Sequence, residues 1–95
     1  MRISYTVAKC EMNIARRDLS FESVHQFDLA SALIVEDTRA CYPEQRFQAL
    51  GFIGERLHML VFTPRDPSIH VISLRKANLR EVKHYEQAVQ KHSLR

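Results

Sequence analysis

The chain has 95 residues, enough for one folded domain and too few for two. Apolar residues make up 45% of it and charged residues 26%, a globular composition that excludes a wholly disordered or fibrous protein. Fourteen lysines and arginines against eleven aspartates and glutamates give a net charge of +3. Because this bias is mild, the location of the charges must decide whether the partner carries phosphates. We expect a single domain over residues 1–95.

Signals for targeting and for disulfide formation are missing from the sequence. The N-terminal residues lack the apolar core of a signal peptide, and no window approaches the ~20 apolar residues of a membrane span. Cys10 and Cys41 form no Cys-x-x-Cys pair, so both are predicted to be reduced thiols. We therefore expect a cytoplasmic protein with no membrane partner.

Two helices are predicted near the N-terminus, after a short strand at residues 3–5. Thr6 is a suitable N-cap for a helix that runs to about Arg17, and Ser20 is one for a second helix. The apolar residues expected to face the core from these helices are Val7, Cys10, Ile14, Phe21, Val24 and Phe27.

The middle of the chain has the pattern of β-strands. Strands are predicted over residues 32–36, 46–51, 56–63 and 69–74. The third is apolar enough to lie at the centre of a sheet. Residues 37–45 form a long turn, and Gly51 and Gly54 bracket a tight connection. The segment from Pro64 to Pro67 makes the next turn, because each proline removes a donor from the strand ladder.

A final helix is predicted over residues 76–92. Leu79, Val82, Glu86 and Val89 lie nearly in line on it, and three of these four are apolar. The predicted order of elements is therefore β, α, α, β, β, β, β, α. This order, with helices at both ends of a run of strands, indicates the α+β class.

The first helix carries a polar stripe. Lys9, Asn13, Arg16 and Arg17 follow helical spacing and share one face. Taken alone, this face is either a phosphate-binding surface or an ordinary solvated one.

The predicted hairpin brings further cations together. A turn at Pro64 to Pro67 pairs positions whose numbers sum to about 132, so Arg56 is expected opposite Lys76 and beside Arg75. Three cations at one end of a sheet repel one another, and a bound polyanion would relieve that repulsion. The alternative is neutralisation within the protein by a carboxylate. The candidates for this are Glu55, Glu81 and Glu86.

The last helix has a second polar pattern. Its basic stripe consists of Lys76, Arg80, Lys83 and Gln87. Glu81 and Tyr85 lie one turn apart on another face. A tyrosine in this position either takes part in proton transfer or packs its ring against the sheet.

The sequence contains no motif for a metal or a nucleotide triphosphate. The five histidines form no His-x-x-x-His or His-Glu-x-x-His pattern, and His58 and His70 are not opposite each other in the expected hairpin. Gly51 and Gly54 are the only glycines, and no Lys-Ser or Lys-Thr follows them, so there is no phosphate-binding loop. No metal or cofactor is expected.

Several short motifs, taken together, resemble the BrnT family of toxins. They are Phe47-Gln48-Ala49-Leu50-Gly51, Glu55-Arg56-Leu57, Val61-Phe62-Thr63-Pro64-Arg65, Ile72-Ser73-Leu74-Arg75-Lys76-Ala77 and Glu81-x-x-x-Tyr85-Glu86. Each is weak alone, but their combined spacing is specific over roughly residues 32–86. Lys9, Asn13 and the run Ser20-Phe21-Glu22 also fall where the family has the same residues.

Three positions depart from the family pattern. Thr6 stands where the family usually has aspartate, Arg17 where it usually has histidine, and Asp18 where it usually has glycine. The first is a conservative change of helix cap. The second places in doubt any role that a histidine has at this position.

The resemblance implies a RelE-like fold, in which a compact antiparallel sheet is flanked by two N-terminal helices and one C-terminal helix. It also implies an endoribonuclease toxin of a type II toxin-antitoxin system, with RNA as the substrate. A cognate BrnA-like antitoxin would neutralise the toxin. Because such an antitoxin binds DNA, the toxin would contact operator DNA indirectly, as a corepressor.

Metal-independent RNA cleavage uses the 2'-hydroxyl as nucleophile and needs a base, an acid and cations for the charge on the phosphorane. We assign Arg56 and Arg75 to charge stabilisation and Ser73 to phosphate orientation. The candidates for proton transfer, left open, are Glu81, Tyr85 and Lys76. The residues expected to bind RNA are Lys9, Asn13, Arg16, Arg17, Arg65 and Arg80.

Two other functions are consistent with the sequence. In the first, the basic surface holds an acidic antitoxin segment or nucleic acid without catalysis, which the Arg17 substitution favours. In the second, a toxin of the same fold binds gyrase, although the resemblance runs to the ribonucleases.

Overall fold

A computed structural model of the chain describes residues 1–93, with side chains as far as Gln90. The elements are β1 (Arg2–Ser4), α1 (Val7–Arg17), a 3₁₀ helix (Phe21–Gln26), β2 (Leu33–Glu36), β3 (Phe47–Ile53), β4 (Arg56–Arg65), β5 (Ser68–Lys76) and α2 (Leu79–Ser93). This order confirms the predicted sequence of elements and the α+β class. The second predicted helix has the tighter 3₁₀ winding.

The five strands form one sheet in the order β1-β5-β4-β3-β2. The strands from β2 to β5 pair antiparallel, as expected, but β1 pairs parallel to β5. The expectation of a wholly antiparallel sheet is therefore wrong at this edge. β4 is central, as its apolar run predicted, and residues 57–63 are buried without interruption.

Each face of the sheet packs against different helices. On the first face, Leu60 and Leu74 join Cys10 of α1 and Phe21 of the 3₁₀ helix in the larger core cluster. On the second face, Met59 and its neighbours join Tyr85 of α2 in a smaller cluster. Because side chains alternate along a strand, β4 contributes to both cores.

The helices bury only part of the expected apolar set. Cys10, Phe21, Val24 and Phe27 are buried as predicted. Val7 and Ile14 are wrong predictions, since their side chains are 64% and 43% exposed. Asn13 is buried in their place. The face of α1 that meets the sheet runs through Cys10 and Asn13, which are three residues apart. Burial of the polar Asn13 side chain is tolerated because its amide donates two hydrogen bonds, which offset the cost of removing it from water.

The C-terminal helix begins three residues later than predicted. Lys76 belongs to β5, so the basic stripe assigned to the last helix does not include it. Asn78 caps α2, because its Oδ1 accepts from the Glu81 N–H while its own N–H donates to Glu81 Oε1, each at 2.9 Å. Val82 packs against the second core as predicted, but Leu79 and Val89 are 70% and 42% exposed and Glu86 is exposed too. Tyr85 is the buried residue in their place.

Two turns differ from their predicted positions. The β3–β4 connection is Gly54–Glu55, and Gly51 lies inside β3. There Gly51 gives room to the Phe27 ring, whose nearest atom would be 2.6 Å from an added Cβ. Pro64 lies within β4, and the β4–β5 turn is Asp66–Pro67. Pro64 is tolerated because β3 pairs with β4 only as far as Phe62, which leaves an open edge beyond it.

The two predicted N-caps differ in their bonding. Ser20 accepts a hydrogen bond from the Glu22 N–H at 3.1 Å, as an N-cap does. Thr6 occupies the N-cap position of α1, but its hydroxyl makes no capping bond.

Within residues 1–93, no helix is long and apolar enough to cross a membrane.

Asp18 ends α1 in the left-handed region, with φ of 54°, and its N–H donates to Ile14 O. Glycine adopts this conformation without the Cβ penalty. The resembled family usually has glycine here. We expect Asp18→Gly to raise the free energy of unfolding by up to about 1 kcal/mol, measured by urea denaturation. Asp18→Ala, the control, keeps the Cβ and should lower stability, and a less stable glycine variant would contradict this account.

Candidate functional site

The strand register differs from the one that was expected to bring Arg56 opposite Lys76. In the β4–β5 ladder Lys76 lies opposite His58 and Arg75 opposite Met59, so the predicted opposition of Arg56 and Lys76 is wrong by two residues. The later turn and an irregularity between Val61 and Phe62 shift the pairing. Arg56 pairs with Ile53 of β3 instead, and its Nη2 donates to Ala77 O at 3.1 Å.

Arg75 is neutralised within the protein. Its two terminal nitrogens donate to the two carboxylate oxygens of Glu81, each at 2.8 Å. The Arg75 guanidinium lowers the pKa of the Glu81 carboxyl, and Glu81 raises the pKa of Arg75. Two ways of neutralising the cations were considered, a bound polyanion and a carboxylate of the protein. For Arg75 the structure shows the second, with Glu81 as the carboxylate. Glu81 is held ionised, so it is better suited to positioning Arg75 than to donating a proton.

Tyr85 packs as a structural aromatic residue. Its ring is buried edge-on against Phe52, with ring centroids 5.4 Å apart, and its hydroxyl donates to Ser31 O at 2.9 Å. The alternative of ring packing is therefore the one observed. Tyr85 and Arg56 line the largest described cavity, of about 450 Å³, whose walls are mostly apolar.

The remaining polar residues of the C-terminal part lie apart from one another. Arg80 lines a groove of about 190 Å³ beside α2, together with Glu81 and His84. Lys76 is the last residue of β5 and is exposed. The predicted catalytic residues are thus distributed over several separate surfaces.

The polar stripe of α1 meets the sheet at Ser73. A cavity of about 190 Å³ is lined by Lys9, Met12, Asn13, Arg16, Arg17, Phe21, Ile72 and Ser73. The expectation that the four stripe residues share one face is confirmed. Ser73, predicted separately from the β5 motif, lies against this stripe because β1 covers β5 only as far as His70, which leaves room for α1 at the strand's edge.

A second polar cavity adjoins the first. It measures about 150 Å³ and is lined by Lys9, Pro43, Glu44, Arg46, Thr63, Arg65, His70 and Ile72. Lys9 and Ile72 line both cavities, so the two lie side by side. We call the two cavities together the basic cleft, because their combined lining includes five cations and a single carboxylate, Glu44. The cations are Lys9, Arg16, Arg17, Arg46 and Arg65.

The charges of the basic cleft are only partly neutralised. Arg65 donates to both oxygens of Glu44, at 3.2 and 2.6 Å, but both side chains are about half exposed, so the pair contributes little to stability. The Arg46 guanidinium lies 3.9 Å above the Tyr42 ring. Its Nε is the one buried side-chain polar atom in the described part of the chain that lacks a partner. An excess of positive charge remains for an anion.

His70 is a member of the cleft that sequence reasoning set aside. Its Nδ1 lies 3.0 Å from Ser4 Oγ, across the β1–β5 pair. Burial lowers the pKa of His70, and nearby Arg65 lowers it further. As predicted, His70 does not face His58; it pairs with Thr63. Strand alternation was the available signal, since it places Thr63, Arg65 and His70 on one face of the hairpin.

Metal binding has no visible basis in residues 1–93. Among them, no three His, Cys, Asp or Glu side chains are grouped closely enough to hold a metal ion.

A family model described as "Ribonuclease toxin, BrnT, of type II toxin-antitoxin system" matches residues 5–81. The match covers most of the chain and includes all residues that line the basic cleft. The protein belongs to the BrnT family. Family membership indicates a ribonuclease toxin with an antitoxin partner. A search of curated proteins gives no match to this chain.

Arg17 is the residue at which the resemblance led us to expect histidine. Its Nη1 donates to Asn13 Oδ1 at 2.8 Å, and its side chain lines the basic cleft. Arginine keeps its charge at every physiological pH and cannot exchange a proton there. At this position the protein therefore has a fixed cation in the lining of the basic cleft.

Asn13 joins this cation to the fold. Its Nδ2 donates to Leu19 O at 2.8 Å and to Leu74 O at 3.0 Å, so α1, the following loop and β5 meet at one side chain. Because Oδ1 accepts from Arg17 and Nδ2 donates to two carbonyls, the hydrogen bonds determine which end of the amide is the oxygen and which is the nitrogen. Asn13 is 5% exposed and its amide bonds to groups of the protein, so the structure favours a positioning role over the direct RNA contact that was predicted.

We expect Asn13→Ala to lower the free energy of unfolding by about 1–3 kcal/mol, because two carbonyls lose their donors and one of them is buried. Asn13→Asp places an acceptor against both carbonyls, so it should destabilise more. Denaturant unfolding at neutral pH measures both variants. An aspartate variant as stable as the natural protein would contradict the assigned bonding.

Proposed function

We propose that this BrnT-family chain is a metal-independent endoribonuclease that binds single-stranded RNA in the basic cleft, cleaves it and so arrests growth. The observation that supports this most is that Lys9, Arg16, Arg17, Arg46 and Arg65 line two adjoining cavities. Local folding does not require these cations to be together. A polyanionic ligand gives their convergence a use.

The proposed chemistry uses the RNA's own 2'-hydroxyl as the nucleophile on the adjacent phosphorus. The transition state places extra negative charge on the phosphorane oxygens, which cations and hydrogen-bond donors stabilise. Lys9, Arg17 and Arg65 supply positive charge from two sides of the cleft. The Ser73 hydroxyl is proposed to orient the phosphate.

Arg75 keeps its proposed role in charge stabilisation, supported by its position. It follows Ser73 by two residues on β5, so both side chains project from the same face of the sheet. Glu81 is proposed to hold its guanidinium in place.

The other proposed catalytic residues have weaker support. The bonds of Arg56 and Tyr85 to backbone carbonyls favour structural roles. Lys76 and Arg80 lie outside the basic cleft, so catalysis by the first and RNA contact by the second are predictions supported by their charge alone.

The proposed partner is a cognate BrnA-like antitoxin. Acidic residues of such a partner would complement the basic cleft and exclude RNA from it. Operator DNA would be contacted through the antitoxin, with the toxin as corepressor. We also propose that the fold is RelE-like, which the sheet with helices on both faces supports.

A second candidate function rests on Arg17. If catalysis in this family requires a proton at that position, a fixed cation there removes it. The basic cleft would then hold nucleic acid or an acidic antitoxin segment without cleaving anything.

Purified protein should bind and cleave single-stranded RNA, with affinity falling steeply as salt rises. Lys9→Ala should lower the affinity and reduce the slope of log affinity against log salt by about 0.7, the value for one phosphate contact on a single strand. The matched control is Lys83→Ala, because Lys83 is exposed on α2 and lines no part of the basic cleft.

A 2'-deoxy oligonucleotide of the same sequence completes this test. It should bind with similar salt dependence and remain intact, because it lacks the nucleophile. Cleavage of the deoxy strand would contradict the proposed chemistry. Binding that does not depend on salt would show that the stripe on α1 is only a solvated surface.

Arg17→His separates the two candidate functions. We expect the natural protein to be active and the variant to cleave at about the natural rate or somewhat more slowly, because the position serves as a phosphate-binding cation. Initial rates across neutral pH measure this. An inert natural protein that gains cleavage with histidine, with a rate that changes near neutral pH, would establish the non-catalytic function instead.

A further inference from the structure

We infer that His70 is the general base of the RNA cleavage proposed for the basic cleft, accepting the proton of the 2'-hydroxyl on its Nε2. This inference rests on the proposed function and adds the proton acceptor that the proposed cleavage still lacks. It rests on the location of the ring, on its bond to Ser4 and on the nature of the other groups that line the cleft.

The ring lies where a phosphate bound by the cleft's cations would place the ribose. His70 lines the same cavity as Lys9, Arg46 and Arg65, so cations from α1, β4 and the β2–β3 loop surround it. Thr63 is its partner across the β4–β5 ladder. A phosphate held by these cations would have its adjacent ribose beside the imidazole, which is the placement that general base catalysis requires.

The bond to Ser4 leaves one ring nitrogen available. Nδ1 lies 3.0 Å from Ser4 Oγ, and no described residue bonds Nε2. When Nδ1–H donates to the serine oxygen, Nε2 carries the lone pair that a base requires. Ser4 can do this because β1 pairs parallel to β5 and places it directly beside His70.

The other groups of the cleft are poor bases. Lysine and arginine are protonated at neutral pH. Glu44 is paired with Arg65, which lowers the pKa of its carboxyl and weakens it as a proton acceptor. His70 is the group in the cleft lining whose ordinary titration range includes neutrality.

The surroundings of His70 favour its neutral form. Burial, Arg65 and Lys9 all lower the pKa of the imidazole, and Glu44 partly opposes them. The neighbouring Ser4 and Thr63 carry no charge. A base must be unprotonated before it reacts, so a lowered pKa keeps His70 ready at neutral pH.

The step balances without any further reagent. The 2'-oxygen forms a bond to phosphorus while its proton passes to Nε2, which makes an imidazolium. The bond between phosphorus and the 5'-oxygen breaks, and that oxygen keeps the electron pair and takes a proton from water. The imidazolium returns its proton to the resulting hydroxide. The products are a 2',3'-cyclic phosphate and a 5'-hydroxyl end.

The test compares the natural protein with His70→Gln and His25→Gln. His25 is a matched control, because it is an exposed histidine on the 3₁₀ helix away from the cleft lining. Glutamine retains hydrogen bonding but has no titratable nitrogen. We expect His70→Gln to reduce kcat/KM on an RNA oligonucleotide by about 100-fold or more, and His25→Gln to leave it unchanged.

The pH profile distinguishes a base from a structural residue. For the natural protein, kcat/KM should rise with pH through the pKa of His70, below the ordinary value of 6.5, and then level off. This rise should vanish in His70→Gln. Added imidazole should partly restore cleavage by His70→Ala. A natural profile without such a rise would overturn the inference, and this arm requires no variant to fold.

A substrate with sulfur in place of the leaving 5'-oxygen separates the base from the acid. Its leaving group needs no proton, so loss of a general base should still slow cleavage, whereas loss of a general acid should not. Full cleavage of this substrate by His70→Gln would therefore overturn the inference. If the natural protein cleaves RNA and His70→Gln matches His25→Gln, the inference fails alone. If the natural protein cleaves no RNA, the proposed function fails with it.

Discussion

The amide of Asn13 is the interaction on which both the fold and the cleft depend. One side chain donates to the carbonyls of Leu19 and Leu74, so the end of α1, the loop after it and the uncovered edge of β5 are joined at a single buried point. Its remaining oxygen holds Arg17. An apolar residue would pack at this position without fixing the rotation of α1, whereas the two directional bonds to Leu19 O and Leu74 O, both outside the helix, fix it. The polar stripe of the helix faces the sheet edge because this rotation is set.

The charged residues divide into those that the fold uses and those that it leaves available. Glu81 caps α2 with Asn78 and binds Arg75 through both oxygens, which ties the helix to β5. Asp37 is buried and accepts a bidentate pair of hydrogen bonds from Arg39. These bonds hold the pKa of the Asp37 carboxyl well below the usual range. In these two pairs each cation is matched by a carboxylate. The lining of the basic cleft, by contrast, has five cations and one carboxylate. An excess of one sign in a depression attracts ligands of the other sign, which agrees with a ribonuclease family.

The sequence predicted local features better than distances between elements. Strand positions, the central β4 and the cap at Ser20 follow from residue patterns that act over a few positions. The pairing of Arg56 with Lys76 failed because the ladder is irregular beside Val61 and the turn lies later than the prolines suggested. Neither feature has a reliable local signal. The stripe on α1 was visible in the sequence. Its position beside Arg65 and His70 depends on the parallel pairing of β1 with β5 and on the bond from Asn13 to Leu74, and both interactions join residues far apart in the sequence. Family motifs identified the class of activity without locating the cleft.

Lys9 lines both halves of the basic cleft, one half bounded mainly by α1 and the other by the β4–β5 hairpin and the loop before β3. An anion that fills the whole cleft therefore contacts both α1 and the sheet with its β2–β3 loop. Thermodynamic linkage then requires that occupancy stabilises the native state in proportion to the logarithm of ligand concentration above its dissociation constant. A bound anion would therefore make the protein more resistant to unfolding as the anion concentration rises above the dissociation constant.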